Sequence, residues 1–284
     1  MSLVLSKTAP RRMVTLAVTS GKGGVGKTNV AINLAVGLAR LKNRVGILDA
    51  DFALGNVDVM LGLAPQRHLG HLLAGEATVD AIAVDGPDGV RIIPASSGLR
   101  ELTALSPSHW QRLSAAIDAL RDDLDFLIID TATGISGDAV ELLLGADRVL
   151  VVTSPEPPAM VDAYALIKVL TRAEPSGEIG LLVNGARDLE EADSVFQQLD
   201  RAAARFLNRQ LRYYGFIARD PAVRASVQMQ RPVVDLRPQS AASRCFRILA
   251  SRVAGFSVHG GGLRLVQPAS ASVTKTEREA PQCA

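Results

Sequence analysis

Eight residues near the N-terminus have the composition of a phosphate-binding loop. They are GKGGVGKT at positions 21–28, in which four residues separate the first glycine from Gly26, Lys27 and Thr28. Glycines let backbone N–H groups turn toward phosphate oxygens, and a helix that starts here adds the partial positive charge of its N-terminus. In such loops the lysine contacts the β- and γ-phosphates and the next hydroxyl binds Mg²⁺. The spacing therefore predicts a site for ATP or ADP with Mg²⁺.

Three aspartates stand where predicted strands end, which is where parallel sheets bind ligands. Asp49 and Asp51 close the segment ILDAD, and Asp130 closes FLIID. Since side chains two residues apart in an extended chain point the same way, Asp49 and Asp51 are expected on one face. An apolar strand ending in aspartate has the Walker-B form, whose carboxylate holds Mg²⁺, usually through water. We expect one member of the Asp49–Asp51 pair in the metal's shell and the other beside a reacting water.

Short, nearly continuous apolar runs must position these residues. The predicted strands cover 13–20, 44–50, 90–95, 125–130, 148–154, 179–184 and 213–217. The predicted helices cover 26–41, 107–122, 136–145, 158–173, 190–209 and 240–254. Continuous apolar strands are typical of a parallel sheet that is buried on both faces. Because strands and helices alternate, the predicted fold class is α/β, a doubly wound, mostly parallel sheet flanked by helices.

Composition and the ends of the chain suggest its organisation. The chain has 284 residues, 48% of them hydrophobic, and its 31 basic residues nearly balance 29 acidic ones, which argues against a dedicated polyanion binder. Cys245 and Cys283 have no metal-ligand spacing. We expect a flexible arm at 1–11, one P-loop domain at 12–256 and a disordered tail at 257–284. With no signal peptide and no apolar run of roughly 18 residues, the protein is expected in the cytoplasm, at most peripheral to the inner face of the cell membrane.

A second lysine, Lys22, directly follows the first glycine. The pattern K-G-G-x-G-K-T resembles the deviant Walker A motif of the MinD/ParA family of P-loop ATPases, and the resemblance extends along the body of the chain. It implies that two subunits sandwich two ATP molecules, so that Lys22 reaches the partner's nucleotide. It also implies that Asp51 positions the attacking water and that Asp49 and Asp130 belong to the magnesium shell. A cation supplied by a partner would couple hydrolysis to assembly, because phosphoryl transfer develops negative charge.

The resemblance also implies a residue that reads the base. Asn184, at the end of LLVN, matches the family position at the adenine edge, although a turn residue that closes a strand would look the same. A side-chain amide donates and accepts at once, which suits adenine. Glu156, in the proline-rich segment 154–158, is a candidate for facing the partner subunit, or for a solvated position. The predicted set is Lys22, Lys27 and Asp51 for catalysis, Gly21, Gly23, Gly24, Val25, Gly26, Lys27, Thr28 and Asn184 for the nucleotide, and Thr28, Asp49 and Asp130 for Mg²⁺.

Within the family, the chain is similar to the FlhG/FleN group of flagellar-number regulators. DAYALIKVL at 162–170 and DPAVRASVQMQRPVVDLRP at 220–238 carry this similarity, since ordinary MinD and ParA proteins differ there. The similarity implies an ATPase switch that regulates flagellar number, placement and gene expression. Implied partners are an FlhF-type GTPase, a FleQ/FlrA-type AAA+ transcription activator and flagellar switch proteins. The chain departs from part of the group because it has neither an N-terminal DQA motif nor a dedicated terminal membrane helix.

Other functions of the family remain open at this point. Four arginines repeat at helical spacing: Arg201, Arg205, Arg209 and Arg212. A ParA-type partition ATPase would use such a stripe on DNA phosphates, whereas a solvated helix face or a protein-docking face gives the same pattern. A MinD-type division-site regulator would bind a membrane, and helix 240–254 has an apolar face with arginine flanks that could either lie on a membrane or pack on the sheet. An ATP-using biosynthetic enzyme would need substrate residues that the sequence does not reveal.

Overall fold

The structure is a computed structural model, and it describes residues 13–52, 54–95, 105–134, 137–175 and 177–255. The strands are β1 (Val14–Thr19), β2 (Val45–Ala50), β3 (Val84–Asp85), β4 (Arg91–Ile93), β5 (Phe126–Thr131), β6 (Arg148–Thr153), β7 (Glu178–Ala186) and β8 (Arg212–Ala218). The helices are α1 (Lys27–Arg40), α2 (Val57–Met60), α3 (Leu69–Ala74), α4 (Val79–Ile82), α5 (Pro107–Ala119), α6 (Gly137–Gly145), α7 (Pro157–Arg172), α8 (Leu189–Leu207), α9 (Pro221–Gln228), α10 (Val233–Leu236) and α11 (Ala241–Gly255). The predicted arm at 1–11 and tail at 257–284 lie outside the described residues.

One sheet contains these strands in the order β3-β4-β2-β5-β1-β6-β7-β8. Neighbouring strands are parallel except β3 and β4, which form an antiparallel edge. The predicted α/β class with a mostly parallel sheet is therefore confirmed. From β1 the chain runs outward through β2 to the β3–β4 edge, returns to β5 beside β1, and then runs outward on the other side through β6 and β7 to β8. This arrangement leaves a crevice at the carboxyl ends of the strands near β1, where such sheets bind ligands.

Helices cover both faces of the sheet and produce two apolar cores. One core includes residues of α3, α5, α7 and α8, and the other includes residues of α1 and α11. Consecutive strand residues alternate between the cores, as Leu16 and Ala17 do. All positions of β1, β2, β5 and β6 are buried for this reason, which explains their continuous apolar sequences.

Helix α11 packs on the body of the protein. Its apolar side chains, Phe246, Leu249, Ala250 and Val253, are buried in the core shared with α1. The packing interpretation of helix 240–254 is confirmed, and the interpretation that this apolar face lies on a membrane is wrong because the face is already covered. Among the described helices, none is long and apolar enough to cross a membrane.

Helix α8 ends two residues earlier than predicted, and the arginine stripe is broken there. Asn208 takes a left-handed conformation with φ of 50° and ends the helix, a backbone region that asparagine tolerates. Arg209 therefore lies beyond α8 and donates to the carbonyl of Gly177, while Arg212 lies in β8 and pairs with Glu178. The prediction of a continuous four-arginine stripe is wrong.

The short helices α2, α3, α4 and α10 were not predicted, because four to six residues give no clear hydrophobic periodicity, and the eight-residue helix α9 was not predicted either. α9 did carry a local signal in the dipeptide Asp220-Pro221, a capping residue followed by proline at the first helical position. The Asp220 carboxylate accepts hydrogen bonds from the backbone N–H groups of Ala222 and Ala242. It thereby joins the start of α9 to the start of α11.

Candidate nucleotide-binding site

The phosphate loop joins β1 to α1 at the carboxyl edge of the sheet. Gly26 closes the loop with φ of 92°, a left-handed conformation that a side chain would disfavour. A Cβ atom at Gly26 would also lie 2.5 Å from Asn184 Nδ2. Gly26 offers no side-chain cap, so the first N–H groups of α1 are available to an anion. The predicted strand–loop–helix context is confirmed.

The other loop residues differ in how they are placed. Gly23 and Gly24 are exposed and line a cavity beside the loop. Val25 buries its side chain in the core that contains α1, so only its backbone can serve a nucleotide. Gly21 packs directly against α7, since a Cβ atom there would collide with the carbonyl of Asp162.

Lys27, Thr28 and Asp130 converge beneath the loop. Lys27 is only 8% exposed, and both its ammonium group and the Thr28 hydroxyl lie close enough to Asp130 to influence that carboxyl group. Burial raises the pKa of Asp130 to about 6, while the Lys27 ammonium and the Thr28 hydroxyl lower it. Oδ1 of Asp130 is buried and has no hydrogen-bond partner among the described residues. A buried oxygen left without a donor is costly, and a cation with bound water would satisfy it.

Asp49 lies directly beside Asp130, because the two residues are partners across the parallel strands β2 and β5. Its Oδ1 accepts from the N–H of Asp51 at 3.2 Å, and its Oδ2 accepts from the N–H of Val57 at 3.1 Å. Burial, with repulsion from Asp130, raises the pKa of Asp49 to about 7. The sequence interpretation missed that Asp49 also anchors the segment between β2 and α2.

Asp51 lies one residue past the end of β2 and is half-buried. Its Oδ1 accepts a hydrogen bond of 3.0 Å from the N–H of Leu54, so the carboxylate turns into the loop. The expectation that Asp49 and Asp51 share a face by strand alternation stays a prediction, because β2 ends at Ala50 and Asp51 lies just beyond it. The two carboxylates are nevertheless close, since the Asp51 charge raises the pKa values of both Asp49 and Asp130.

The chemistry of this set fits Mg²⁺. The described residues contain no group of three or more His, Cys, Asp or Glu side chains arranged as a complete metal cage. Mg²⁺ does not require one, because it keeps several waters and is usually held by one or two protein oxygens together with substrate phosphates. Thr28 and the unsatisfied oxygen of Asp130 supply oxygen ligands of that kind, directly or through water.

A cavity of about 740 Å³ adjoins the loop, and this volume is in the range of small-molecule sites. Its lining contains Lys22, Gly23, Gly24, Val25, Ser154, Pro155, Glu156, Pro157, Asn184, Gly185, Arg187, Glu191 and Arg219. The sequence interpretation missed the contributions of Arg187, Glu191 and Arg219. The only sequence signal for the two arginines was their position, because Arg187 directly follows β7 and Arg219 directly follows β8, at the carboxyl edge of the sheet.

Asn184 and Lys22 each have a partner within the subunit. Asn184 lines the cavity, and its Nδ2 donates a hydrogen bond of 2.7 Å to the carbonyl of Val25. Its Oδ1 and its second N–H therefore remain for a base. Lys22 Nζ lies 2.9 Å from Oε2 of Glu156, so the lysine that the resemblance directs to a partner's nucleotide also has a partner within its own subunit.

Comparisons with known proteins agree with this geometry. A family model described as ParA, NUBPL iron-transfer P-loop NTPase, matches residues 12–254. The antiactivator FleN of Pseudomonas aeruginosa is 44% identical over 238 residues, which cover 84% of this chain and 85% of the relative. The flagellum site-determining protein YlxH of Helicobacter pylori is 31% identical and covers 78% of this chain and 76% of the relative.

Solved structures show the same architecture. The cell division ATPase MinD of Pyrococcus furiosus matches with a TM-score of 0.73 and 27% identity, over 85% of this chain and 98% of that chain. The septum site-determining protein MinD of Pyrococcus horikoshii, complexed with Mg-ADP, matches with a TM-score of 0.73 and 25% identity. The match covers 86% of this chain and 96% of that chain. Sequence and architecture therefore agree along most of its length: this chain belongs to the MinD/ParA family of P-loop ATPases.

Proposed function

We propose that this protein is an Mg²⁺-dependent ATPase switch that pairs two subunits around ATP and separates them after hydrolysis. The grouping of Lys27, Thr28 and Asp130 beneath the loop carries the nucleotide part of the proposal. Lys22 supports the pairing, because its partly exposed side chain lines the cavity and does not lie beneath the loop with the buried Lys27. The MinD structure with Mg-ADP supports the choice of nucleotide and ion.

The residues divide the reaction between them. Loop N–H groups and Lys27 hold the β- and γ-phosphates. The Asp51 carboxylate gives up its hydrogen bond with the N–H of Leu54 and instead accepts a hydrogen bond from the attacking water. Water adds to the γ-phosphorus while the bond to the β–γ bridging oxygen breaks, which yields ADP and phosphate. Thr28, with Asp49 and Asp130, would hold Mg²⁺, whose charge stabilises the phosphate oxygens. Lys22 of a second subunit would stabilise the same developing charge.

We further propose that the switch regulates flagellar number, placement and gene expression. The relatives named antiactivator FleN and flagellum site-determining protein YlxH support this role. The name antiactivator favours a FleQ/FlrA-type AAA+ transcription activator as one partner. An FlhF-type GTPase and flagellar switch proteins are the other proposed partners. We place the protein in the cytoplasm, with membrane association at most peripheral.

The alternatives have less support. A ParA-type function on DNA relied on the four-arginine stripe, which the end of α8 interrupts. A MinD-type function in division is supported by the architecture of the solved relatives, but the apolar face of α11 is not available to a membrane.

Light scattering during size exclusion tests the proposal. The full chain should elute as a monomer with ADP and as a dimer with ATP and Mg²⁺, and chelation of Mg²⁺ should abolish the dimer. A monomer under all conditions would remove the dimeric switch and leave the ATP site. To test the biology, flagella are counted after deletion of the gene: altered numbers support the role, and unchanged numbers with misplaced division septa favour the MinD-type alternative.

A further inference from the structure

Lys22 and Glu156 form an ion pair within one subunit. The Nζ–Oε2 distance is 2.9 Å, and the side chains are 37% and 66% exposed. Both residues line the cavity beside the phosphate loop. In the proposed mechanism the Lys22 ammonium group contacts the nucleotide of a neighbouring subunit. In the single subunit this group is therefore already paired with the Glu156 carboxylate.

Two prolines at the start of α7 remove backbone N–H groups that could otherwise compete with Lys22 for the Glu156 carboxylate. Glu156 precedes α7 as its N-cap residue, yet its side chain makes no capping hydrogen bond. Pro157 and Pro158, which begin the helix, have no N–H group to donate. A residue before proline is also restricted to extended backbone, as the φ of −74° and ψ of 129° at Glu156 show. Only the N–H of Ala159 remains as a first-turn donor within reach of an N-cap side chain, and the Glu156 carboxylate does not accept from it, which leaves this carboxylate for Lys22.

Packing of the phosphate loop fixes the lysine side of the pair. Gly21 lies against the backbone of α7, where no Cβ atom would fit. Ser20 Oγ donates a hydrogen bond of 2.9 Å to the carbonyl of Lys22. These contacts hold the Lys22 backbone beside the start of α7, so the ion pair joins two elements that already touch.

We propose that Glu156 is an intramolecular latch that holds Lys22 in the unpaired subunit and releases it when two subunits close over ATP. This inference rests on the proposed dimeric switch and names the contact that opposes it. An ion pair with this exposure shifts an equilibrium about two- to five-fold, so a partner's triphosphate can displace it. Since two latches open per dimer, their loss should tighten the dimer about four- to twenty-five-fold.

The test replaces Glu156 by glutamine in the full chain, which keeps the shape and removes the charge. An Asp51→Ala background prevents hydrolysis, and sedimentation measures the dimer dissociation constant with ATP and Mg²⁺. Glu156→Gln should lower that constant about four- to twenty-five-fold. The matched control, Asp118→Asn, breaks an exposed ion pair between Asp118 on α5 and Arg121, which follows that helix, and should leave the constant unchanged.

Two results of the sedimentation experiment would overturn the latch. A weaker dimer would mean that Glu156 acts across the interface, and a constant equal to that of the control would mean that the pair has no influence. If the parent protein stays monomeric with ATP, the dimeric switch fails, and the latch is then judged on the ADP-bound monomer. There, mass spectrometry should show Lys22 acetylated about two- to five-fold faster in Glu156→Gln, because the carboxylate no longer shields the amine. An unchanged rate would exclude the contact.

Discussion

The side-chain amide of Asn184 donates a hydrogen bond of 2.7 Å to the carbonyl oxygen of Val25, which ties the end of β7 to the phosphate loop. Gly26, the next residue, leaves room for that amide, because a Cβ atom there would lie 2.5 Å from Nδ2. The cavity that could receive a base and the loop that could receive phosphates are therefore mechanically connected. Asn184 serves the loop even before any base is bound.

Replacing Asn184 by alanine should weaken binding of both ATP and ADP about ten-fold, since the loop carbonyl loses its donor and the base loses an amide. Titration of a fluorescent ADP analogue measures the affinity. Asn184→Asp retains the shape but cannot donate, and it should lose at least as much. Unchanged affinity in both variants would leave Asn184 as a turn residue without a role in binding.

Replacing Lys22 by alanine should leave nucleotide affinity nearly intact while it lowers turnover about 10³-fold or more, in line with other catalytic cations supplied by a partner. ATP-driven pairing should disappear with it, because the charge between the two triphosphates is lost. The measurements are steady-state phosphate release and light scattering. Pairing that survives in Lys22→Ala would disprove the trans role and keep the ATP site.

Replacing Asp51 by alanine should slow hydrolysis about 10²- to 10⁴-fold, because the water loses its hydrogen-bond acceptor. ATP and Mg²⁺ should still bind, so the dimer should accumulate and persist. Size exclusion after incubation with ATP gives the outcome. A monomeric Asp51→Ala protein that retains ATP would contradict the assignment of Asp51 to the water.

Asp130→Asn should have opposite effects on stability and on function. The buried, unpartnered Oδ1 makes the charged side chain costly in the protein without ligand, so the neutral amide should raise the melting temperature by about 2–8 °C. The concentration of Mg²⁺ needed for tight ADP binding should rise about 10- to 100-fold. Calorimetry and a magnesium titration measure the two effects, and a Mg²⁺ requirement equal to that of the parent would remove Asp130 from the metal shell.

Gly21→Ala should destabilise the fold by about 1–3 kcal/mol, because the added methyl group meets the carbonyl of Asp162 on α7. Gly23→Ala is the matched control, since its Cβ atom would have nothing within 4 Å. The free energy of unfolding of Gly23→Ala should change by less than about 0.5 kcal/mol. Urea unfolding compares the two, and equal stabilities would contradict the close packing of the loop on α7.

Features encoded in contiguous residues could be predicted from the sequence. The phosphate loop has fixed spacing over eight residues, and the buried strands show their burial as unbroken apolar runs. Strand ends also place side chains predictably, so Asp130 and Asn184 were found at the carboxyl edge of the sheet. The alternation rule does not extend to Asp51, because β2 ends at Ala50 and the loop, through the N–H of Leu54, positions the Asp51 carboxylate.

The tertiary structure decided which distant side chains meet. Lys22 and Glu156 are 134 positions apart, and Asn184 and Val25 are 159 positions apart, yet each pair is in hydrogen-bond contact. Such contacts depend on how α7 and β7 pack around the loop, and no local pattern records that packing. The left-handed turn at Asn208 likewise separates Arg209 from α8, although the spacing of the arginines is helical. The sequence by itself determined the fold class and the nucleotide motif, while only the packed structure determined the partners of Lys22 and Asn184, because those contacts join elements far apart along the chain.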